Sequence, residues 1–450
     1  MNSKFIKGTE IIHRDSKVYP RFTRIPYYPL VIKRAYGATI EDYDGNKFID
    51  LLSGASSLNT GHSNPRITEV IKKQVDDFIS YTAAYSYSEP LVELAEELTK
   101  ITPGNFDKKV AFGLSGSDAN DGMIKLVRGF TGKKKIVSFI GAYHGSTYGA
   151  LSLTALSLNM RRKIGPILSE VEHIRYPTCY RCPYNCNVET CNIECLNDFK
   201  NALSTYLPPD EVAAVVMEPI AGDAGLIVPP IKYMKAIHEI CKKNNILFVS
   251  EEVQQGFART GKWFCIEHFN IIPDIIVMGK SMASGLPLSA IVGKSEIMDS
   301  LDAPAHLFTM SGNSLSCRAA IETINIIKDE DLLEKSIDLG NYTRKRFRDM
   351  QSKYEIIGDV RGLGLSIGID LVKNRTTKMG NRDAAAKICY RCFEKGVIVI
   401  FLADGVLRIQ PPLVITKTQL EEALDIIEES IEEYVNNEIS NENLETVMGW

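Results

Sequence analysis

Four short runs of apolar residues mark the middle of the chain, at 135–140, 212–217, 246–250 and 274–278. Each is nearly continuous, from Lys-Ile-Val-Ser-Phe-Ile in the first to Asp-Ile-Ile-Val-Met in the last. A strand wetted on one face alternates apolar and polar residues, whereas one covered on both faces does not. Between these runs lie stretches with helical character, such as 230–244, and an earlier one with a clear 3.6-residue apolar stripe spans about 89–100. Buried strands separated by helices predict an α/β fold with a mostly parallel central sheet. Residues 318–356 read as mostly helical. Beyond Gly358 the pattern shortens to strands at 363–371, 397–400 and 406–409, followed by a closing amphipathic helix at 416–436. With strands around 30–52, these predict a smaller α+β domain assembled from both termini. The expected division is 1–75 as the N-terminal part of the small domain, 76–325 as the large domain and 326–450 as the C-terminal part. The polar stretch 437–447 is expected to be loosely held.

A chain of 450 residues exceeds one comfortable core, in keeping with two domains. Its 44% hydrophobic and 24% charged residues are those of an ordinary globular enzyme. A net charge of −4 gives no electrostatic reason to expect nucleic acid or an anionic membrane as partner. No apolar run approaches the roughly 18–20 residues that span a bilayer, and the first residues lack the apolar core of a signal peptide. A cytoplasmic protein is expected. Cysteine alters this plain picture, because five of the ten crowd together as Cys179, Cys182, Cys186, Cys191 and Cys195. In an unsecreted protein such a cluster reads as metal ligands or reduced thiols before disulfides. It offers four or more soft ligands. No histidine stands among them, however, and the stretch replaces a surface excursion between two strands, so no metal is assigned.

Four local features carry candidate chemistry. Residues 113–120, Gly-Leu-Ser-Gly-Ser-Asp-Ala-Asn, open a helix expected to run to about Arg128. Small residues at a helix N-terminus present N–H groups and a positive dipole end to a phosphate, although the same residues make an ordinary N-cap loop. Residues 141–145, Gly-Ala-Tyr-His-Gly, directly follow a strand, where Tyr143 can stack on a flat ring in the crevice at the strand ends; a buried tyrosine and a satisfied core histidine read equally well. Glu251 and Glu252 close the third run, and adjacent carboxylates there are costly to bury without a cation. A pyridinium nitrogen is one such cation. Lys280, between Gly279 and Ser281, ends the fourth run and puts an amine at the lip of the sheet, suited to imine formation; alone it would be a surface charge. The order is more specific than any member. A phosphate turn, an aromatic, an acid and a lysine succeed one another in one sheet, and these are the parts that pyridoxal phosphate (PLP) requires.

Further segments share a pattern with one family: 41–51 (Glu-Asp-Tyr-Asp-Gly-Asn-Lys-Phe-Ile-Asp-Leu), 61–65 (Gly-His-Ser-Asn-Pro), 218–222 (Glu-Pro-Ile-Ala-Gly), 255–261 (Gln-Gly-Phe-Ala-Arg-Thr-Gly) and 408–413 (Arg-Ile-Gln-Pro-Pro-Leu). The chain resembles the class III aminotransferases of PLP fold type I along nearly its whole length. The resemblance implies Gly116 and Ser117 at the cofactor phosphate, Tyr143 stacked on the ring, Glu251 at the ring nitrogen, Gln254 at the ring 3-oxygen and Lys280 as the Schiff-base lysine. It also implies a homodimer or tetramer, with Thr309 reaching the phosphate of the neighbouring subunit. Two positions depart from the family pattern. Glu251 stands where the family has aspartate, with the same charge and one more methylene, and Ser314 stands where proline is usual.

The resemblance leaves two reactions to separate. Both begin with loss of the Cα proton; a transaminase returns it to the cofactor and a racemase returns it to Cα from the opposite face, which favours a second acid there. In the aminotransferases a glutamate often follows 218–222 and pairs with the arginine of the 408–413 segment. Here that residue is Asp223, opposite Arg408, and its shorter side chain leaves a carboxylate nearer the substrate. Segments 280–290, 300–308 and 407–415 and the terminal pair Gly449 and Trp450 resemble the isoleucine 2-epimerase and broad amino-acid racemase branch. The expectation is PLP-dependent racemisation or epimerisation of apolar α-amino acids, with Lys280 serving one face of Cα, Asp223 the other, and Arg408 receiving the α-carboxylate. Two alternatives stay open. Asp223 could merely close the site through a salt bridge to Arg408, and an aminotransferase acting on 4-aminobutyrate, ornithine or another ω-amine with 2-oxoglutarate would use the same cofactor residues. Ser56, Tyr85 and the partner subunit's Leu307 are candidates for the entry.

Overall fold

The computed structural model describes residues 5–440 and Val447, so residues 441–446 of the polar stretch and the Gly449 and Trp450 pair lie outside the described residues. The chain divides into two compact units: Pro65–Leu333, and the described parts of Met1–Asn64 with Glu334–Trp450. In chain order the strands are β1 (Ile32–Tyr36), β2 (Thr39–Asp42) and β3 (Lys47–Asp50) in the terminal unit. The large unit holds β4 (Lys108–Gly113), β5 (Lys135–Ile140), β6 (Val171–Arg175), β7 (Val212–Met217), β8 (Leu247–Glu251), β9 (Ile275–Met278) and β10 (Ser289–Lys294). The terminal unit resumes with β11 (Ile357–Leu363), β12 (Ser366–Asn374), β13 (Met379–Gly380), β14 (Val397–Ile398), β15 (Ile400–Leu402) and β16 (Val406–Ile409). Among the described residues, no helix is long and apolar enough to cross a membrane.

The large unit is a seven-stranded sheet in the order β4-β10-β9-β8-β7-β5-β6. Only the pairings of β10 are antiparallel. The four apolar runs of the sequence are β5, β7, β8 and β9. Every residue of β7 and β9 is buried, which is why those runs do not alternate. The helix Gly116–Thr131 lays Met123, Ile124 and Val127 against Ile136, Val216 and Val277, and full burial of side chains this size stabilises by roughly 1.5–3 kcal/mol each. Tyr233, Met234, Ile237 and Cys241 form the buried stripe of the helix Ile231–Lys243. The edge strands β4 and β6 escape a reading by apolar runs because they are only partly buried and carry Lys108, Lys109, Glu172 and His173.

The terminal unit contains two sheets, β1-β2-β3-β14 and β11-β12-β16-β15, with β13 paired to β12. Three sequence expectations change here. The run 397–400 is not one strand: β14 pairs parallel to β3 while β15 pairs antiparallel to β16. All four residues are buried, so no alternation betrays the switch. The run at 363–371 is the second arm of a hairpin whose first arm, β11, was hidden by polar residues; Arg361 meets Asp359 at 2.8 Å and Asp370 at 3.0 Å. The helical stretch 318–356 is two helices, Ser314–Asp329 and Leu332–Lys353, broken where Asp331 takes a left-handed φ of 48°.

Candidate active site

Strands β9, β8, β7 and β5 are neighbours in the sheet and run parallel, so their C-terminal ends form one lip. Lys280 follows β9, Glu251 ends β8, Glu218 follows β7 and Tyr143 follows β5. Adjacent strands lie about 4.8 Å apart, which gathers these groups despite their separation in sequence. They line one cavity of about 150 Å³ with Gly116, Ser117, His144 and Gln254.

One end of the cavity is the start of the helix Gly116–Thr131. A capping box holds it: Ser115 Oγ accepts from the Asp118 N–H at 3.3 Å, and the Asp118 carboxylate accepts from the N–H groups of Leu114 and Ser115 at 2.7 and 2.9 Å. Gly116 and Ser117 belong to the first turn, whose N–H groups have no intrahelical acceptor, and they border the cavity. Gly145 has φ of 135°, and a Cβ there would lie 2.3 Å from Ser117 Oγ; this close approach lets the Ser146 N–H donate to that oxygen at 3.1 Å.

Two acids, Glu218 and Glu251, also line the cavity. Glu218 accepts from the N–H groups of Tyr143 at 3.0 Å and Gly222 at 2.9 Å. Burial pushes its carboxyl up to about 7. Asp223 is buried and accepts from Gln254 Nε2 at 3.3 Å, while Gln254 Oε1 accepts from Gln255 Nε2 at 3.0 Å. Glu251 is raised well above the usual carboxylate range by burial and then by Glu218, against the pull of Lys280. Its Oε2 lies 3.9 Å from Nδ1 of His144. That contact is not an ion pair, because burial holds His144 down at about 3 and the ring stays neutral. Both ring nitrogens of His144 lack a hydrogen-bond partner among the described residues. Lys280 itself is half-buried and takes φ of 44°, a strained left-handed position for a side-chain-bearing residue.

A family model for aminotransferase class-III matches residues 23–431. The chain belongs to the class-III aminotransferase family. It is 47% identical over 448 residues to an isoleucine 2-epimerase of Lentilactobacillus buchneri, covering 99% of this chain and 100% of that one. It is 46% identical over 446 residues to a leucine/methionine racemase of Thermococcus litoralis, again covering 99% and 100%. A Bacillus anthracis aminotransferase of known structure superposes with a TM-score of 0.87 at 30% identity, over 96% of this chain and 99% of that one. As a class-III aminotransferase the chain is a PLP enzyme of fold type I.

The cavity of this class-III member fits a PLP molecule on its own chemistry. It offers first-turn N–H groups for an anion, an aromatic and a lysine amine, and a buried carboxylate whose raised pKa marks a shortage of positive charge. Of the two adjacent carboxylates at the end of β8, only Glu251 borders the cavity. Glu252 instead accepts from the N–H groups of Cys265 and Ile266 at 2.9 and 2.8 Å and from Ser250 Oγ at 3.1 Å. Opposite-facing side chains at successive strand positions account for the split.

Other residues singled out in the sequence are not among those that line this cavity, and Asp223 is one of them, reaching the lining through its bond from Gln254. Thr309 is exposed on the segment that precedes Asn313. Arg408 lies in β16 of the terminal unit, buried, with its Nε donating to Gln410 Oε1 and Gln410 Nε2 donating to Ser366 Oγ at 2.9 Å. Ser56 is buried in a turn whose residues 53–56 all have left-handed φ, whereas Tyr85 and Leu307 are exposed. Ser314 is the first residue of a helix capped by Asn313 Oδ1, where proline is tolerated because it forfeits no intrahelical bond; serine leaves the cap intact. Glu218 was not foreseen as a site residue. Its signal was available, since it follows an apolar strand just as Glu251 ends one.

Proposed function

We propose that this chain is a PLP-dependent racemase or epimerase of apolar α-amino acids. The observation that carries the reading is whole-length identity of 47% and 46% to an epimerase and a racemase, against 30% to the structurally similar aminotransferase. The N–H groups of Gly116 and Ser117 would hold the cofactor phosphate, and Tyr143 would lie against the ring. Glu251 would face the ring nitrogen, Gln254 the ring oxygen, and the Lys280 amine would carry the group. Bound PLP supplies an electron sink that makes the Cα–H of an attached amino acid acidic.

In this reading Lys280 Nζ takes or returns the proton on one face of Cα, and an Asp223 carboxylate oxygen does so on the other. The bond from Gln254 Nε2 orients Asp223 and leaves that amide a second N–H for the ring oxygen. Glu218 ties the Tyr143 backbone to the turn that carries Asp223, so platform and acid keep a fixed spacing. Arg408 is the candidate for the substrate α-carboxylate. Leu307, Met310 and Tyr85 expose apolar surface on the unit that carries Thr309, surface that a second copy would cover. A cytoplasmic homodimer or tetramer, with Thr309 serving the neighbouring subunit, completes the proposal.

The test supplies L-isoleucine to the holoenzyme without any keto acid and follows D-allo-isoleucine by chiral chromatography. Accumulation of that isomer is the expected result. Turnover confined to 4-aminobutyrate or ornithine with 2-oxoglutarate would overturn the reading in favour of transamination.

A further inference from the structure

Between β6 and the helix Leu196–Thr205, residues 176–195 form turns and irregular chain without a strand or helix. Unstructured connections longer than about 12–15 residues are uncommon inside a compact domain unless a function or a ligand holds them. This one carries Cys179, Cys182, Cys186, Cys191 and Cys195, all half-buried and none in a disulfide. All five line a single cavity of about 20 Å³, close to the space of one water-sized particle. Its remaining lining is Pro183, Val188, Ile193 and Pro230 with the polar Thr178 and Glu194, and no lysine, arginine or histidine borders it. Thiols are weak hydrogen-bonding groups, so the five sulfurs hold a water poorly. A soft cation would find good partners in them.

We propose that Cys179, Cys182, Cys191 and Cys195 bind one zinc ion that fixes the 176–195 segment. The choice among the five follows their neighbours. Cys195 interacts with Cys179, Cys182 and Cys191, whereas Cys186 is engaged by Glu194 and donates to the Tyr184 carbonyl at 3.6 Å. Zinc suits four thiolates and needs sulfurs at about 2.3 Å. No three candidate donors stand at coordinating separation among the described residues. Binding therefore turns the cysteine side chains inward between staggered rotamers and closes the void. Four S–H bonds break, four S–Zn bonds form, the four protons pass to water, and no electron changes hands. A void for one particle favours a single ion over an iron–sulfur cluster.

The experiment is metal analysis of the full-length holoenzyme purified without chelator, with a thiol count by Ellman's reagent before and after adding a zinc chelator. One zinc per chain and about four thiols that become reactive only after chelation are expected. The Cys191→Ser/Cys195→Ser double variant should lose the zinc and melt at a lower temperature, while keeping its PLP absorbance. If that variant does not fold, the thiol count on the unaltered enzyme decides alone. Enzyme with no metal and freely reactive thiols would overturn the proposal, as would disulfides within the segment, or iron with inorganic sulfide.

Discussion

At the lip of β9, β8, β7 and β5 the reactive groups come from four strands, held side by side by buried backbone pairing. Between β6 and the helix Leu196–Thr205 they come from one short stretch with no such frame. The strand-built cavity keeps features that are unfavourable in isolation: a left-handed Lys280 and two buried, mutually repelling carboxylates in Glu218 and Glu251. A rigid surround permits such strain because relaxing it would break many pairings at once. The cysteine segment has no equivalent support, and its sulfurs are left around a void until an ion joins them. The contrast teaches that a scaffold can store unfavourable electrostatics, whereas a loop has to discharge it through a ligand.

The largest effect should come from the strained lysine. Lys280→Ala should reduce racemisation on the order of 10⁴-fold or more, since a group that both carries the cofactor and moves a proton is removed. Zinc content should not change. Activity within tenfold of the unaltered enzyme, in a chiral assay, would remove Lys280 from the mechanism; loss of the metal would show that the two regions are not independent.

Asp223→Asn comes next. Its carboxylate sits in the strand-built region through its bond to Gln254, so the variant should fold and bind PLP. Racemisation should fall by about 10²–10⁴-fold. In deuterated water one enantiomer should still exchange its Cα proton with retention, because Lys280 continues to serve its own face. Undiminished inversion would leave Asp223 with only a gating role.

The same contrast explains what was legible in the sequence. The strand-tip residues could be read because continuous apolar runs locate β5, β7, β8 and β9, and the polar residue that ends each run then stands out. Glu218 was less legible because it stands one residue beyond β7, where order alone does not tell a buried acid from an exposed one. The face of Glu251 and Glu252 could not be told from order alone, since it depends on the pleat at the end of β8. Residues 397–400 and 357–363 misled for opposite reasons: one run is uniformly buried across two sheets, and the other strand is masked by Asp359 and Arg361. For the cysteines, spacing showed that ligands exist but only the fold shows that all five border one void.

Glu252 tests the storage of unfavourable electrostatics without touching the cavity. Burial pushes its carboxyl up to about 7 from an ordinary 4.5. A carboxyl raised in the folded chain contributes its full stability below the unfolded value and loses it as pH rises through the folded one. The window is therefore about pH 4.5 to 7, and the shift corresponds to roughly 3 kcal/mol. Glu252→Gln should flatten the decline in unfolding free energy, read from urea titrations across that window, by about that amount, less the backbone bond that one lost acceptor gives up. An unchanged pH slope would mean that the scaffold holds no such cost there.

The smallest effect, and the finest test of how tightly the strand-built region is packed, is Gly222→Ala. A Cβ at this position would lie 2.2 Å from Gln254 Oε1 and 2.7 Å from its Cδ. The backbone can accept alanine, because Gly222 is not among the glycines with positive φ. The side chain that has to yield is the Gln254 amide, which is flexible and can swing away. Doing so breaks its bond to Asp223 while the Glu218 bond to the Gly222 N–H survives. The expected result is a folded enzyme with normal PLP content and a kcat lowered about tenfold, the range for a lost positioning hydrogen bond of about 1–1.5 kcal/mol. KM should change little, since Gln254 would act on the acid rather than on substrate binding. If kcat is unaffected, the Gln254–Asp223 bond does not orient the second acid, and Asp223 must be positioned by other contacts; if PLP is lost as well, Gln254 serves the cofactor more than the acid.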